Sequence, residues 1–401
     1  MKIAMVSAQA SPLNEASDPH GAHVARLSSA LCGSGHDVTV YTRCESSSAT
    51  PGRVRTGSGY DVVHVPAGPA RPLAEEQALP HIGAFAQFLL HEWAAAPPDV
   101  VHGHLWASGM VSVLGGRRIR VPVVQTFHSL AAAEMRHSAG ETGLGQRGKV
   151  EVLVGKEAAH VAAVNSDEVA ELIKAGVSRA KITLVPGGVD IDAFIPEGSR
   201  TRRDRLYRVV TAGPLLPHQD VEAVITALSK VDEAELVVAG LPESGRLHDD
   251  PEVARLKRHA EHLGVGERVV FAGAVPHSAM PALLRSADAA VCASSYEPSG
   301  AFALEAMACG VPVVATRVGG LADVVVHGVT GLLVPPGEPE SLSWALRSLL
   351  LDDTLRNEFG VAGRDRVTAR YSWSRVAADV LRVYERAGAV AATTVAAHPA
   401  W

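Results

Sequence analysis

The chain has 401 residues, 47% of them hydrophobic and 20% charged, with a formal net charge of −6 at neutral pH. That length suits two or three domains of roughly 100–200 residues, each with enough apolar content for a real core. Mild acidity, no basic block and only 4% aromatic residues exclude a phosphate-tracking groove or a base-stacking platform, so no nucleic-acid partner is expected. Cys32, Cys44, Cys292 and Cys309 lie far apart with no CxxC pair, which argues for free thiols in a reducing compartment and against a zinc ribbon. No apolar stretch reaches the ~18–20 residues of a spanning helix. The opening residues MKIAMVSAQASP are shaped as a buried strand and not as a leader. The expectation is a cytoplasmic protein with no stable membrane insertion.

Short apolar runs alternate with helical patterns along almost the whole length. Residues 3–6, 38–41, 62–65, 100–102 and 121–126 read as strands. Between the first two, Val24, Leu27, Ala30 and Leu31 recur at helical spacing over His23–Cys32 and stop at Gly33 and Gly35. Strand–helix–strand order with helical crossovers predicts a parallel sheet covered on both faces.

The pattern restarts after the turn-rich stretch from Val185 to Pro196 and the charged segment from Glu197 to Arg208. Further strands are predicted at 209–212, 236–239, 269–272, 289–293, 313–315 and 332–334, with a helix over 221–228. A last helix is predicted from about 373 to about 386, followed by a frayed tail over 387–401. The economical architecture is α/β, with two Rossmann-like, doubly wound domains at 1–190 and 191–372 facing an interdomain cleft. Ligands of such sheets bind outside the carboxyl ends of the strands.

The loop from Ser7 to His23 follows the first strand but lacks GxGxxG, which argues against an NAD-dependent enzyme. Gly21 at the following helix start would let a ligand approach the backbone. His102 and His104 share one face of a strand, where two histidines could bind metal. No ligand-spaced cysteine or carboxylate cluster accompanies them, the nearest being Glu134 with His137. The expectation is therefore no metal, with His104 and His128 serving as hydrogen-bonding groups for substrate. Asp190 and Asp192 match a metal-binding DxD, yet their turn-rich setting reads as structural.

The segment from Ser294 to Thr316 carries the most information. A strand runs into a loop holding Glu297 and Gly300, and a helix then starts near Ala301 and stops at Gly310. Glu305 stands inside the apolar run of that helix, where a carboxylate is costly unless partners satisfy it. It suits the hydroxyls of a ligand ribose, while Glu297 at the lip suits sugar hydroxyls. The amides of Gly300, Ala301 and Phe302 form a helix N-terminus fit for phosphate.

This segment closely resembles the glutamate–seven residues–glutamate signature of retaining GT-B glycosyltransferases, the family 4-like group that includes sucrose-phosphate synthase and the mycothiol-pathway enzyme. Other residues match in order: the opening MKIAMVSAQASPL, Gly21, His104 to Trp106, Thr126-Phe-His128, Val185-Pro-Gly-Gly-Val-Asp190, Gly319-Gly320 and Gly328-Val-Thr-Gly331. The resemblance spans residues 1–385. It implies a retaining, metal-independent, cofactor-free transfer of a sugar from a nucleoside-diphosphate sugar to a small-molecule acceptor. It assigns Glu297 and His128 to catalysis, and Glu305, Gly300, Ala301, Phe302, Gly213, His218, Gln219 and Gly21 to the donor. His104, Trp106 and Ser129 fall to the acceptor. The last helix is expected to pack back on the first domain, hinges are expected near 186–207 and 370–376, and a homodimer is the assembly left open.

Family members typically carry Gly-Arg-Leu-x-x-x-Lys-Gly after the first strand of the second domain, whose two cations neutralise the donor diphosphate. This chain has Pro214 and Gln219 at those places. His20 stands where a glycine precedes Gly21, Ser299 replaces a phenylalanine, and Leu105 replaces the tyrosine of inositol-phosphate users. These departures point toward specialised-metabolite, including antibiotic, or small-thiol biosynthesis. The alternatives are a catalytically silent homologue acting as a nucleotide-sugar-binding partner subunit, and a nucleoside-diphosphate-sugar epimerase of related fold.

Overall fold

The computed structural model describes residues 1–14, 18–46, 52–73, 75–136, 144–240, 247 and 249–397. The chain divides into two compact units, Met1–Gly187 with Trp373–Trp401, and Gly188–Ser372.

The first unit is built on eight strands: β1 (Lys2–Val6), β2 (Asp37–Arg43), β3 (Gly52–Arg55), β4 (Asp61–Val65), β5 (Val100–His104), β6 (Val123–Thr126), β7 (His160–Ala163) and β8 (Ile182–Leu184). Their spatial order is β3-β4-β2-β1-β5-β6-β7-β8. All neighbours pair in parallel except β3, which runs antiparallel to β4 at the edge. β1 pairs with β2 on one side and β5 on the other, so the strand order reverses beside β1. Crossovers leave that point in opposite directions and open a crevice at the carboxyl ends, the usual ligand place in this topology.

The helix Pro19–Gly33 starts at that crevice. Asp18 caps it by accepting a hydrogen bond from the His20 amide, and Pro19 supplies a preset first-turn φ. Val24, Leu27 and Leu31 pack from this helix onto Ile3, Met5, Val38 and Val40. The helix Trp373–Ala397 adds Val376, Val380, Val383 and Tyr384 to the same core. It runs past the expected end, so residues 387–397 are helical where fraying was predicted, and 398–401 lie outside the described residues. The Tyr384 hydroxyl reaches Nδ1 of His102 at 2.8 Å and anchors this helix to the sheet.

The second unit holds six parallel strands: β9 (Tyr207–Ala212), β10 (Ala234–Ala239), β11 (Val269–Gly273), β12 (Ala289–Cys292), β13 (Val313–Thr316) and β14 (Gly331–Val334). Their order is β11-β10-β9-β12-β13-β14, which reverses between β9 and β12. One core lies under the helices Val221–Leu228 and Pro339–Leu350, and another under Ala301–Ala308. The close strand ends need glycine. A Cβ on Gly240 would sit 1.8 Å from the Gly213 carbonyl oxygen, and both residues have positive φ. The short strands β3, β7 and β8 were not among the predicted elements. β3 is exposed throughout, and β8 has a single buried residue, so neither presents a clear apolar pattern.

Candidate functional site

In the second unit, the loop after β12 and the helix Ala301–Ala308 occupy the switch-point edge. Glu297 does not leave its carboxylate free at the lip. Its Oε1 accepts from the Ser299 amide at 3.0 Å, the Ser299 hydroxyl at 2.8 Å and the Gly300 amide at 3.0 Å. The Ala301 amide donates in turn to the Ser299 hydroxyl at 3.3 Å. Two of the three amides expected to hold phosphate are thus satisfied by the chain's own side chains. The reason is local: Glu297 three residues before Gly300 and Ser299 two residues before Ala301 are acceptors already in place in the same loop. Ser299 takes part in this network through a hydroxyl that phenylalanine lacks. Phe302 is half-buried and packs against the core, leaving only its backbone for a ligand.

The backbone of this loop is clamped from a second side. The Gly320 amide donates to the Glu297 carbonyl at 2.8 Å. A Cβ on Gly319, which has φ of +44°, would lie 2.2 Å from that same oxygen. Gly319 and Gly320 therefore act by letting one backbone approach another.

Glu305 lies on the second turn of the helix, with one-fifth of its side chain exposed. Burial pushes its carboxyl up to about 7. Nδ1 of His277, from the loop after β11, stands 3.7 Å from Oε1, beyond hydrogen-bond reach. No arginine or lysine ion pair holds this carboxylate among the described residues. His277 gave no sequence signal beyond being a histidine after a strand.

Gly213 follows β9, with its amide on the Ala239 carbonyl. The turn beyond it carries His218 and Gln219. The Ser295 amide donates to the His218 carbonyl at 2.7 Å, and the Ser294 hydroxyl donates to Gln219 Oε1 at 2.9 Å. The two switch-point loops are tied together by neutral hydrogen bonds, and Pro214 brings no charge. Asp190 Oδ1 accepts from the amides of Asp192 and Ala193, a structural turn as expected.

In the first unit the crevice at β1, β5 and β6 is lined by histidines. Nδ1 of His104 lies 3.1 Å from Nε2 of His128. The His23 ring stands edge-on to His128 at 4.7 Å between centroids, and His20 lies 5.1 Å from it. Burial holds His104 and His128 well below the usual imidazole range and lowers His23 to about 4, so the three are neutral at physiological pH. Leu105 and His128 both have φ of +68°, costly for residues with a side chain. The Leu105 amide on the Thr126 carbonyl and the Gln125 side chain on the Leu105 and Thr126 carbonyls hold these two strand ends.

Three expected contact residues are engaged within the chain. Gly21 is buried, and its missing Cβ would meet the Ser11 carbonyl at 2.4 Å, so that side of the glycine is filled by the chain's own backbone. Trp106 is 3% exposed and packs into the core with Val111 and Phe127. The Ser129 hydroxyl donates to Glu134 at 2.5 Å and accepts from Arg147 at 3.0 Å. This network was not anticipated. Arg147 also donates to Glu151 at 2.6 Å and to Glu134 at 2.9 Å. Its signal was the i,i+4 pair Arg147 and Glu151, with the acid set between Val150 and Val152. His137, paired with Glu134 in the sequence reading, lies outside the described residues.

Comparison with known proteins follows this geometry. The family described as "Glycosyl transferases group 1" matches residues 198–366, and "Glycosyltransferase Family 4" matches residues 20–193. The chain is 33% identical over 412 residues to a D-inositol 3-phosphate glycosyltransferase of Acidothermus cellulolyticus, covering 96% of this chain and 90% of that protein. It is 34% identical over 410 residues to the Mycobacterium tuberculosis protein of that name, covering 96% and 83%. Among solved structures, sucrose-phosphate synthase from Thermosynechococcus elongatus superposes with a TM-score of 0.84 at 27% identity, over 97% of this chain and 99% of that one. HepE of Anabaena, solved with UDP and glucose, gives 0.71 at 18% identity, over 96% and 99%.

Proposed function

The chain belongs to the GT-B glycosyltransferases of the family 4 type, and from that premise we propose that it is a retaining transferase. It moves a sugar from a nucleoside diphosphate to a small-molecule acceptor in the cytoplasm. The observation carrying this reading is Glu305, a carboxylate in an apolar helix at a strand-order switch, raised by burial and held by no arginine or lysine among the described residues. A buried carboxylate left without such a partner is costly, and donated ribose hydroxyls would repay that cost.

The second unit binds the donor, with Glu305 on the ribose and Glu297 Oε2 on the sugar hydroxyls while Oε1 stays on the loop amides. Gly213, His218 and Gln219 line the phosphates. The first unit binds the acceptor at the carboxyl ends of β5 and β6, where His104 and His128 offer neutral ring nitrogens. Retention follows from attack on the face the leaving group departs from. The acceptor oxygen or sulfur forms the new bond to the anomeric carbon as the bond to phosphate breaks, and the departing phosphate oxygen takes the acceptor's proton. That route calls on no metal and no dedicated base.

The relatives named for inositol phosphate do not fix this acceptor. Arg147 is matched by Glu134 and Glu151, so an acceptor phosphate would have to displace a carboxylate to reach it. Leu105 also stands where those enzymes tend to carry tyrosine. An uncharged or cationic hydroxyl or thiol compound, of the kind used in specialised metabolism, fits better.

One observation favours a second reading, a silent nucleotide-sugar-binding subunit. Gln219 is bonded to Ser294 where the family carries a lysine, and lost stabilisation of a leaving diphosphate commonly costs several kcal/mol of barrier. A thermal-shift screen of UDP, GDP, ADP and dTDP with their sugars, repeated on Glu305→Ala, tests both. A shift with one nucleotide that Glu305→Ala loses is expected; no shift with any of them ends both readings. Binding without turnover across acceptors selects the second.

A further inference from the structure

We propose that His23, His104 and His128 form a site for one divalent transition-metal ion of the zinc class. The three come from separate elements: the helix Pro19–Gly33, the end of β5 and the residue two after β6. One ring nitrogen from each lies within 4.8 Å of the other two. His104 and His128 already approach to 3.1 Å. Zinc–nitrogen bonds of about 2.0–2.1 Å in tetrahedral geometry place ligand nitrogens about 3.4 Å apart, so small ring movements close the site.

Two further features support a ligand here. Nε2 of His104 is buried with no hydrogen-bond partner among the described residues, so moving the ring proton there to free Nδ1 for an ion breaks no bond at that end. His102, whose ring lies 4.2 Å from that of His104, is excluded from the ligand set because both its nitrogens are engaged. Nδ1 faces the Tyr384 hydroxyl at 2.8 Å and Nε2 the Thr126 hydroxyl at 2.9 Å. A ring fixed at both ends is a stable wall against which His104 is oriented. An all-imidazole set selects borderline ions such as zinc, cobalt, nickel or copper over magnesium and calcium, which prefer oxygen. Three protein ligands leave a fourth position open. The inference does not rest on the transfer reading; the ion and an acceptor hydroxyl are alternative occupants of the His128 ring.

The test titrates Co(II) into untagged, chelator-treated full-length protein with neither donor nor acceptor present, following visible absorption. One equivalent should produce the bands of a four-coordinate nitrogen site, and one equivalent of Zn(II) should abolish them. His23→Asn should weaken binding at least 100-fold, whereas His91→Asn, on the surface, should leave it unchanged. Because His23→Asn could disturb folding, electron paramagnetic resonance of one equivalent of Cu(II) on the unaltered chain counts coordinated imidazole nitrogens directly, and three are expected. No cobalt bands at stoichiometric metal, equal affinity in His23→Asn, or fewer than three nitrogens would overturn the proposal.

Discussion

Glu297 Oε1 lies 3.0 Å from the amide nitrogen of Gly300, so the residue assigned to the sugar also fixes the loop that leads into the helix carrying Glu305. The loop bonds and the proposed ligand contact use different oxygens of one carboxylate. Glu297→Gln keeps an acceptor for the Gly300 and Ser299 amides, whereas Glu297→Ala keeps none. Hydrogen bonds to a charged group contribute about 1.5–3 kcal/mol, and less in an exposed loop such as this one. Chemical denaturation should therefore show Glu297→Ala destabilised by about 1 kcal/mol and Glu297→Gln nearly unchanged. Both variants should lose at least 10-fold in kcat/KM. Equal stability loss in the two would show that the loop does not depend on an acceptor at the Oε1 position.

Under the proposed reading, Glu305 should make donor binding pH-dependent. Ribose hydroxyls donate to the ionised carboxylate, so affinity should tighten as pH rises through about 7, where burial has placed this group. Stability moves the other way. The unfolded chain releases this proton near 4.5 and the folded chain near 7, so the folded state holds more protons between those values and loses stability as pH rises across the window. Glu305→Gln should flatten both profiles, measured by calorimetric titration of nucleotide and by denaturation at pH 5 and 8. A pH dependence of binding that survives Glu305→Gln would assign it to another group.

Gly319→Ala should act at a distance in sequence. Its new Cβ would press on the Glu297 carbonyl from 2.2 Å, in a backbone conformation unfavourable for alanine. The loop must shift, and nucleotide affinity should fall about 10-fold or more by the geometry sensitivity of such sites. Ala322→Gly, exposed on the short helix Gly319–Val324, provides the comparison and should leave affinity within about twofold.

Tyr384→Phe removes the hydroxyl 2.8 Å from His102 Nδ1 and leaves a buried ring nitrogen without its partner. The cost should be about 1–3 kcal/mol. Hydrogen exchange should show faster opening of the helix Trp373–Ala397, with the second unit's amides unchanged. Unaltered exchange in that helix would mean its apolar contacts alone hold it.

Much of this protein is legible from local pattern. Apolar runs such as 3–6 and 209–212, separated by helical crossovers, dictate parallel sheets because a chain returning by a helix can only re-enter in the same direction. The spacing from Glu297 to Glu305 places one acid in a loop and the other inside a helix, and that followed from the apolar residues around them. The exposed edge strand β3 and the short β8 were not legible, since pairing with a neighbour, not their own composition, makes them strands.

What only the tertiary structure decided was how each polar group spends its hydrogen bonds. Whether Gly21 faces a ligand or the Ser11 carbonyl, whether Ser129 is open or engaged by Arg147, and whether His23 joins His104 and His128 all depend on segments far apart in the chain. Local sequence sets which groups a residue carries and the face it occupies. The partner that satisfies a buried group is chosen by the whole fold, because burial removes water as the default and leaves whichever neighbour packing supplies.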